Sequence, residues 1–247
     1  MSPTTPAFPS RLPNVGTTIF TVMSALATQH KAVNLGQGFP DFDCDPKLVD
    51  GVTAAMPHGH NQYPPMPGVP ALRQAIAAKI EAVYARQYSA DTEITITAGA
   101  TQAILTAILC CVGPGDEVIV LEPCYDSYVH NIELTGATVV RVPLTPGTFR
   151  PDSDKIGAAL SPKTRAIIIN SPNNPSGTVW SPEDMRRLDE LLAATRVLVI
   201  SDEVYEHMVY APLRHESVAR YPGLAARSFI VSSFGKTYHV TGWKVGY

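Results

Sequence analysis

Val197-Leu-Val-Ile-Ser-Asp-Glu-Val-Tyr205 is the stretch that decides the fold. Its first four residues are apolar without interruption, and a strand that shows no polar alternation is one buried on both faces. An acid pair follows at once, where a carboxylate is costly to desolvate unless a cation meets it. Working outward, the same pattern repeats. Arg165-Ala-Ile-Ile-Ile-Asn170 and Ser228-Phe-Ile-Val-Ser232 read as strands, as do Glu117-Val-Ile-Val-Leu121, Thr138-Val-Val-Arg-Val142 and Ile94-Thr-Ile-Thr97. Helical patterns separate them: residues 102–112, apolar nearly all round; residues 125–135, closed by Gly136; and residues 152–160. A further helix starts at Ser181-Pro-Glu-Asp184, with Ser as cap, Pro at the first helical position and acid in the first turn, and runs to about Ala194. Strands alternating with helices predict an α/β fold with a mostly parallel central sheet covered on both faces.

The first third of the chain is less regular. Residues 1–16 are rich in Pro, Ser and Thr and read as an extended arm, because repeated prolines cannot sustain a helix interior. Residues 17–29 fit a helix with Phe20, Met23 and Ala27 on one face. Val33-Asn-Leu-Gly-Gln-Gly-Phe-Pro-Asp41 sets two glycines and a proline behind a short apolar run, which predicts a sharp turn and a close backbone approach. Asn61-Gln-Tyr-Pro-Pro-Met-Pro-Gly68 is a proline-stiffened loop, and the helix after it shows Leu72, Ile76, Ile80, Val83 and Tyr84 on its apolar face.

Composition narrows the function. With 247 residues and 45% hydrophobic content the chain can bury one large core. A formal charge of −3 and a pI near 6.1 leave no basic stripe for nucleic acid or an anionic membrane. The four cysteines, Cys44, Cys110, Cys111 and Cys124, lack metal-ligand spacing and read as reduced core or pocket residues. The N-terminus has neither the basic start nor the apolar core of a secretory signal, and no run approaches the roughly 20 apolar residues of a membrane span. A cytoplasmic protein is expected. Because Val245-Gly-Tyr247 reads as the middle of a strand, the chain is expected to be a fragment.

Four features fall at strand ends, where a parallel sheet gathers them into one crevice. Ala98-Gly-Ala-Thr101 passes straight from a strand pattern into a helix, and the free N–H groups and positive dipole end there suit a phosphate. Asn170-Ser-Pro-Asn-Asn-Pro-Ser-Gly177 couples prolines that fix the backbone to asparagine amides that can face a ligand. Asp202 asks for a cation, for which a protonated ring nitrogen qualifies, and Tyr205 offers a phenol to a nearby anionic oxygen. Lys236, in Ser233-Phe-Gly-Lys236, supplies an amine with Lys244 beyond it; imine chemistry needs an amine in a partly dry crevice. Each feature alone has an ordinary reading as a loop lysine, a capping acid or a glycine turn. Together they meet the demands of pyridoxal phosphate.

These residues resemble the class I aminotransferases of pyridoxal-phosphate fold type I, in the branch containing methionine aminotransferase and the kynurenine/glutamine aminotransferases. The matching stretches are Asn34-Leu-Gly-Gln-Gly-Phe-Pro-Asp-Phe42, Asn61-Gln-Tyr63, Ala98-Gly-Ala-Thr101, Gly115-Asp-Glu-Val118, Pro172-Asn-Asn-Pro175, Ser201-Asp-Glu-Val-Tyr205 and residues 232–247. The resemblance implies that Lys236 is the Schiff-base lysine, that Asp202 pairs with the pyridinium nitrogen, and that Tyr205 and Asn174 bond the ring 3-oxygen. It implies that Tyr125 stacks on the ring and that Ala100, Thr101, Ser233 and Lys244 hold the phosphate. Tyr63 would reach the phosphate of a neighbouring subunit, which implies a homodimer. Gly36 is implied as a backbone contact to the substrate α-carboxylate, shared with Asn174, and Phe20 as a wall of the side-chain pocket. No metal is called for.

By the same resemblance, residues 1–45 form an N-terminal arm and a segment of a small domain, and residues 46–247 a cofactor-binding large domain, with the chain ending before the C-terminal small domain. Lys244 departs from the arginine of many members, giving a point charge in place of a fork. The carboxylate-clamping arginine of the family lies beyond the last residue here. The expected activity is transfer of an amino group from methionine, or another apolar or aromatic L-amino acid, to a 2-oxo acid. A C–S β-lyase using the same groups, and a chain that binds cofactor without turnover, are the alternatives; a DNA-binding regulator is disfavoured by the absence of a basic patch.

Overall fold

A computed structural model describes residues 9–13, 15–38 and 40–247. Residues 1–8 and Asn14 of the expected arm, and Phe39 of the glycine turn, lie outside the described residues. In chain order the elements are α1 (Ile19–Gln29), α2 (Pro46–Ala55), α3 (Pro70–Tyr84), α4 (Gly99–Cys111), β1 (Glu117–Glu122), α5 (Ser127–Leu134), β2 (Thr138–Pro143), α6 (Ser153–Ala159), β3 (Thr164–Asn170), α7 (Pro182–Leu192), β4 (Leu198–Asp202), α8 (Pro222–Ala225), β5 (Ser228–Val231) and α9 (Phe234–Thr237).

The five strands form one sheet in the order β2-β1-β3-β4-β5, every pairing parallel. The uninterrupted apolar runs are explained by its two covered faces. Ile119, Leu121, Ile167, Ile169 and Val199 pack on one side against Ile156 of α6, Met185, Leu188 and Leu192 of α7, and Leu224 of α8. Their neighbours Val118, Val120, Ala166, Ile168 and Ile200 pack on the other against Ile104 and Ile108 of α4 and Tyr128 and Ile132 of α5. Period-two alternation is thus present, but both registers are apolar because both are buried. Helix α7 starts as its sequence demands. Ser181 and Asp184 form a capping box, with Pro182 in the first turn.

Several expectations need correction. Residues 94–97 are not a strand: Thr97 makes a single antiparallel bridge with Gly246, and the Ile96 amide turns instead to the Pro67 carbonyl. Gly246 also bridges Ser233, so the last residues lie antiparallel between Thr97 and the segment after β5. Helix α2 went unforeseen although Asp45 caps it from before Pro46. Residues 234–237, read as loop, close one helical turn, and the helix expected from Tyr125 begins at Ser127. Val83, assigned to an apolar face, is exposed. Cys110 is exposed while the other three cysteines are half-buried, and all four are free thiols. Among the described residues no helix is long and apolar enough to cross a membrane.

Gly246 shows why the tail seats where it does. A Cβ there would stand 2.6 Å from the Gly99 carbonyl carbon and 2.7 Å from the Ala100 nitrogen, both backbone atoms at the start of α4. Gly246→Ala is therefore expected to destabilise the fold by about 1–3 kcal/mol, the range for forced overpacking, measured by urea denaturation. A midpoint unchanged from the parent protein would show that this contact is not held in solution.

Candidate active site

The parallel register sets Asn170, Asp202 and Val231 side by side at the carboxyl ends of β3, β4 and β5. Asp202 is 4% exposed. Its side chain accepts hydrogen bonds from Tyr128 Oη at 2.6 Å and from the Val204 amide at 3.2 Å. Among the described residues no cation pairs with it, and burial raises its carboxyl from 3.8 to about 6 against the opposing pull of those two donors. Asn170 locks the row by donating from Nδ2 to the Asp202 carbonyl at 2.9 Å and accepting the Asn174 amide on Oδ1 at 2.7 Å.

Tyr128 is the residue that sequence reasoning missed. It stands on the sheet-facing side of α5, one turn after Tyr125, and its ring meets that of Tyr125 edge-on at 5.7 Å. The signal was its i+3 spacing from an aromatic already singled out. Burial and the Asp202 charge push its phenol far above the ordinary value, so it stays a donor. Asp202 is thereby oriented without being neutralised.

Tyr205, Lys236, Asn174 and Tyr125 converge beside this carboxylate. Lys236 Nζ lies 5.7 Å from the centre of the Tyr205 ring. Burial, then the charges of Asp202 and Tyr125, raise the Tyr205 phenol, and the amide of Asn174 opposes them. Asn173, by contrast, is structural: its Oδ1 accepts both the amide and the hydroxyl of Ser176. Glu203 is sent to the opposite face by strand alternation. There it pairs with His215 Nε2 at 2.9 Å and accepts the Ser201 hydroxyl and the Val218 amide.

The start of α4 lies on the same face of the sheet, where Ala100 packs against the cluster that holds Tyr125 and Tyr128. Gly99 adopts φ +77, its amide is bonded to the Thr97 carbonyl, and the Ala98 amide is capped by Gln102 Oε1 at 2.5 Å. That leaves Ala100 and Thr101 among the first-turn donors that a helix cannot satisfy internally. Lys244 sits against them, its Cδ 3.7 Å from where a Gly99 Cβ would be, with its own backbone held at φ +56. Ser233 is joined to the same patch through the bridge to Gly246.

Three expected residues stand apart. Tyr63 is 98% exposed on its loop. Phe20 is half-buried on α1, a helix with no fully buried residue. The Gly36 amide, expected to face substrate, donates instead to Asn34 Oδ1 at 2.9 Å, while Asn34 Nδ2 reaches Ser24 of α1 at 3.1 Å. An Asn two residues before a glycine makes this local turn in preference to an open amide.

Residues 30–247 match the family described as aminotransferase class I and II. The chain is 53% identical to the methionine aminotransferase of Escherichia coli over 96% of its own length and 62% of that protein. It is 47% identical to a probable N-succinyldiaminopimelate aminotransferase of Mycobacterium tuberculosis, over 96% of the chain and 60% of that protein. A crystal structure of Escherichia coli YbdL, identified there as having a methionine aminotransferase function, superposes with a TM-score of 0.93 at 52% identity, covering 98% of this chain and 63% of that one. The chain thus spans somewhat under two thirds of the relatives that it matches.

Asp202 makes stability depend on pH in a definite direction. Its folded carboxyl is raised to about 6, so the ligand-free folded state holds the proton more tightly than the unfolded chain. That contribution is complete below the unfolded value and is lost as pH rises through the folded one. Relative to the parent, ligand-free Asp202→Asn is expected to gain stability between about pH 4 and pH 8, by about 3 kcal/mol at most, in urea titrations. A difference between the two proteins that does not change with pH would contradict the buried, cation-free carboxylate.

Proposed function

The chain belongs to the class I and II aminotransferases, and from that premise we propose that it carries the cofactor-binding part of an enzyme moving the amino group of methionine, or another apolar or aromatic L-amino acid, to a 2-oxo acid by means of pyridoxal 5'-phosphate. The observation that carries the reading is the pairing of two opposite defects on one face of the sheet. Asp202 is a buried acid without a cation among the described residues, and the start of α4 with Lys244 is a cluster of donors and positive charge suited to a dianion. A ligand with a protonated ring nitrogen at one end and a phosphate at the other satisfies both, so the residues fit the group.

When bound, pyridoxal phosphate supplies an electron-withdrawing ring that delocalises the pair left when a substrate Cα–H bond breaks. The chain supplies the rest. Asp202 presents negative charge to the ring nitrogen, held in place by Tyr128. Tyr205 Oη and the Asn174 amide would donate to the ring oxygen, and Tyr125 would stack on the ring. The amides of Ala100 and Thr101, the Thr101 and Ser233 hydroxyls and Lys244 would hold the phosphate. Lys236 Nζ anchors the cofactor and then accepts and returns the substrate proton as general base and acid.

Residues 1–45 are proposed as an arm and part of a small domain, and residues 46–247 as the large domain. Exposed Tyr63 suits a residue that reaches the phosphate of a second copy, in a cytoplasmic homodimer. Phe20 and Gly36 are proposed as substrate contacts from the N-terminal segment, with the Gly36 amide released from Asn34 when a carboxylate competes for it. Methionine is favoured as donor by the similarity to the Escherichia coli enzyme. The Mycobacterium tuberculosis relative makes N-succinyldiaminopimelate the second donor to try.

The decisive measurement is turnover by the full-length protein with methionine, aromatic amino acids and N-succinyldiaminopimelate against several 2-oxo acids. The 2-oxo acid of methionine is expected, formed beyond one equivalent per site only when an acceptor is present. Thiol and pyruvate released from cysteine conjugates without an acceptor would favour β-lyase chemistry instead. Lys236→Ala is expected to lower kcat by about 10⁴-fold or more, about 5.5 kcal/mol. It should also remove the borohydride-stable label on the peptide bearing residue 236. A label that persists would remove Lys236 from its role.

A further inference from the structure

One buried acid near the crevice has no part in the chemistry. Glu206, directly after Tyr205, is 6% exposed. Four side chains from three distant segments converge on its carboxylate. Lys79 and Tyr84 of α3 donate to Oε2, while Ser232 and Tyr247 donate to Oε1 at 2.7 and 3.3 Å. Lys79 Nζ also reaches Tyr247 Oη at 3.3 Å. Burial pushes the Glu206 carboxyl up, but the charge of Lys79 and the hydrogen bonds from Lys79, Tyr84 and Ser232 outweigh it and hold the group ionised.

A buried ion pair is weak support for stability, because apolar residues of similar volume serve as well. What it does provide here is geometry. Ser232 and Tyr247 exchange backbone hydrogen bonds at 2.9 and 3.0 Å, and the Phe234 amide bonds the Val245 carbonyl at 3.0 Å. The carboxylate therefore ties together Tyr205 on one side, the Ser232–Ser233 step on another, and the tail that carries Lys244.

We infer that Glu206 is a positioning residue for the anion cradle, fixing Ser232 and Tyr247 so that Ser233 and Lys244 stand opposite the amides of Ala100 and Thr101. The inference rests on the cofactor reading proposed above. It acts on the phosphate end of the ligand and not on the ring end, which Asp202 and Tyr128 hold independently.

The test is equilibrium binding of pyridoxal 5'-phosphate and of pyridoxal, which lacks the phosphate, to the full-length protein after removal of its cofactor. In Glu206→Gln the dissociation constant for pyridoxal phosphate is expected to rise roughly 10- to 100-fold, the size of effect seen for groups that orient a metal ligand from behind. That for pyridoxal is expected to stay within about 3-fold. A general loss of structure would weaken both alike, so equal losses, or unchanged binding of pyridoxal phosphate, would overturn the inference. Should Glu206→Gln not fold, Ser232→Ala and Tyr247→Phe each remove one hydroxyl from the same carboxylate and must shift the ratio of the two constants in the same direction. A parent protein that binds neither compound would overturn the proposed function itself, which separates the two failures.

Discussion

A carboxylate buried at the end of an inner strand, with a phenol to orient it and no cation among the described residues to neutralise it, is the constraint on which the rest of the structure depends. Burying such a group is unfavourable, and the fold surrounds it with the minimum that keeps it in place: Tyr128 from α5 and the Val204 amide. Those two hydrogen bonds favour the ionised form but do not overcome desolvation. The site is therefore left with an electrostatic demand that a cationic ligand atom meets.

The opposite demand sits across the crevice. First-turn amides of α4 and the side chain of Lys244 gather positive potential where no acid among the described residues answers it. Lys236 stands over the ring of Tyr205, and Asp202 raises the Tyr205 phenol by its charge. On the reading proposed above, the acid and the anion cradle suit a ligand that is cationic at one end and strongly anionic at the other. The parallel sheet accounts for the acid pole, because β3, β4 and β5 bring Asn170, Asp202 and Val231 to one edge, while the tail reaches the start of α4 through the Thr97–Gly246 bridge.

Residues 202–206 carry three acids, and the same residue class meets three environments. Glu203 faces away and is consumed by His215, Ser201 and the Val218 amide. Glu206 turns toward α3 and the tail and is saturated by four donors. Only Asp202 remains open. Had the cation of Lys79 met Asp202 in place of Glu206, no open acid would remain at the end of β4 although the composition would be the same. Which acid is left open is a property of packing, since Lys79 comes from more than a hundred residues upstream.

Taken alone, the amino-acid order determined the layered α/β class, five of the strands, the capping of α7 and the identity of the groups at the strand ends. These are local matters: a continuous apolar run, a Ser-Pro-Glu-Asp start and a polar residue directly after a strand are written within a few positions of one another. Only the tertiary structure decided that residues 94–97 would bridge the tail instead of forming a strand, that Tyr128 would hold Asp202, and that Glu206 would take the donors. Each depends on which distant segment arrives beside a given atom. Hydrogen bonds and burial, unlike periodicity, are fixed by neighbours in space and leave no mark at the neighbouring positions in the chain.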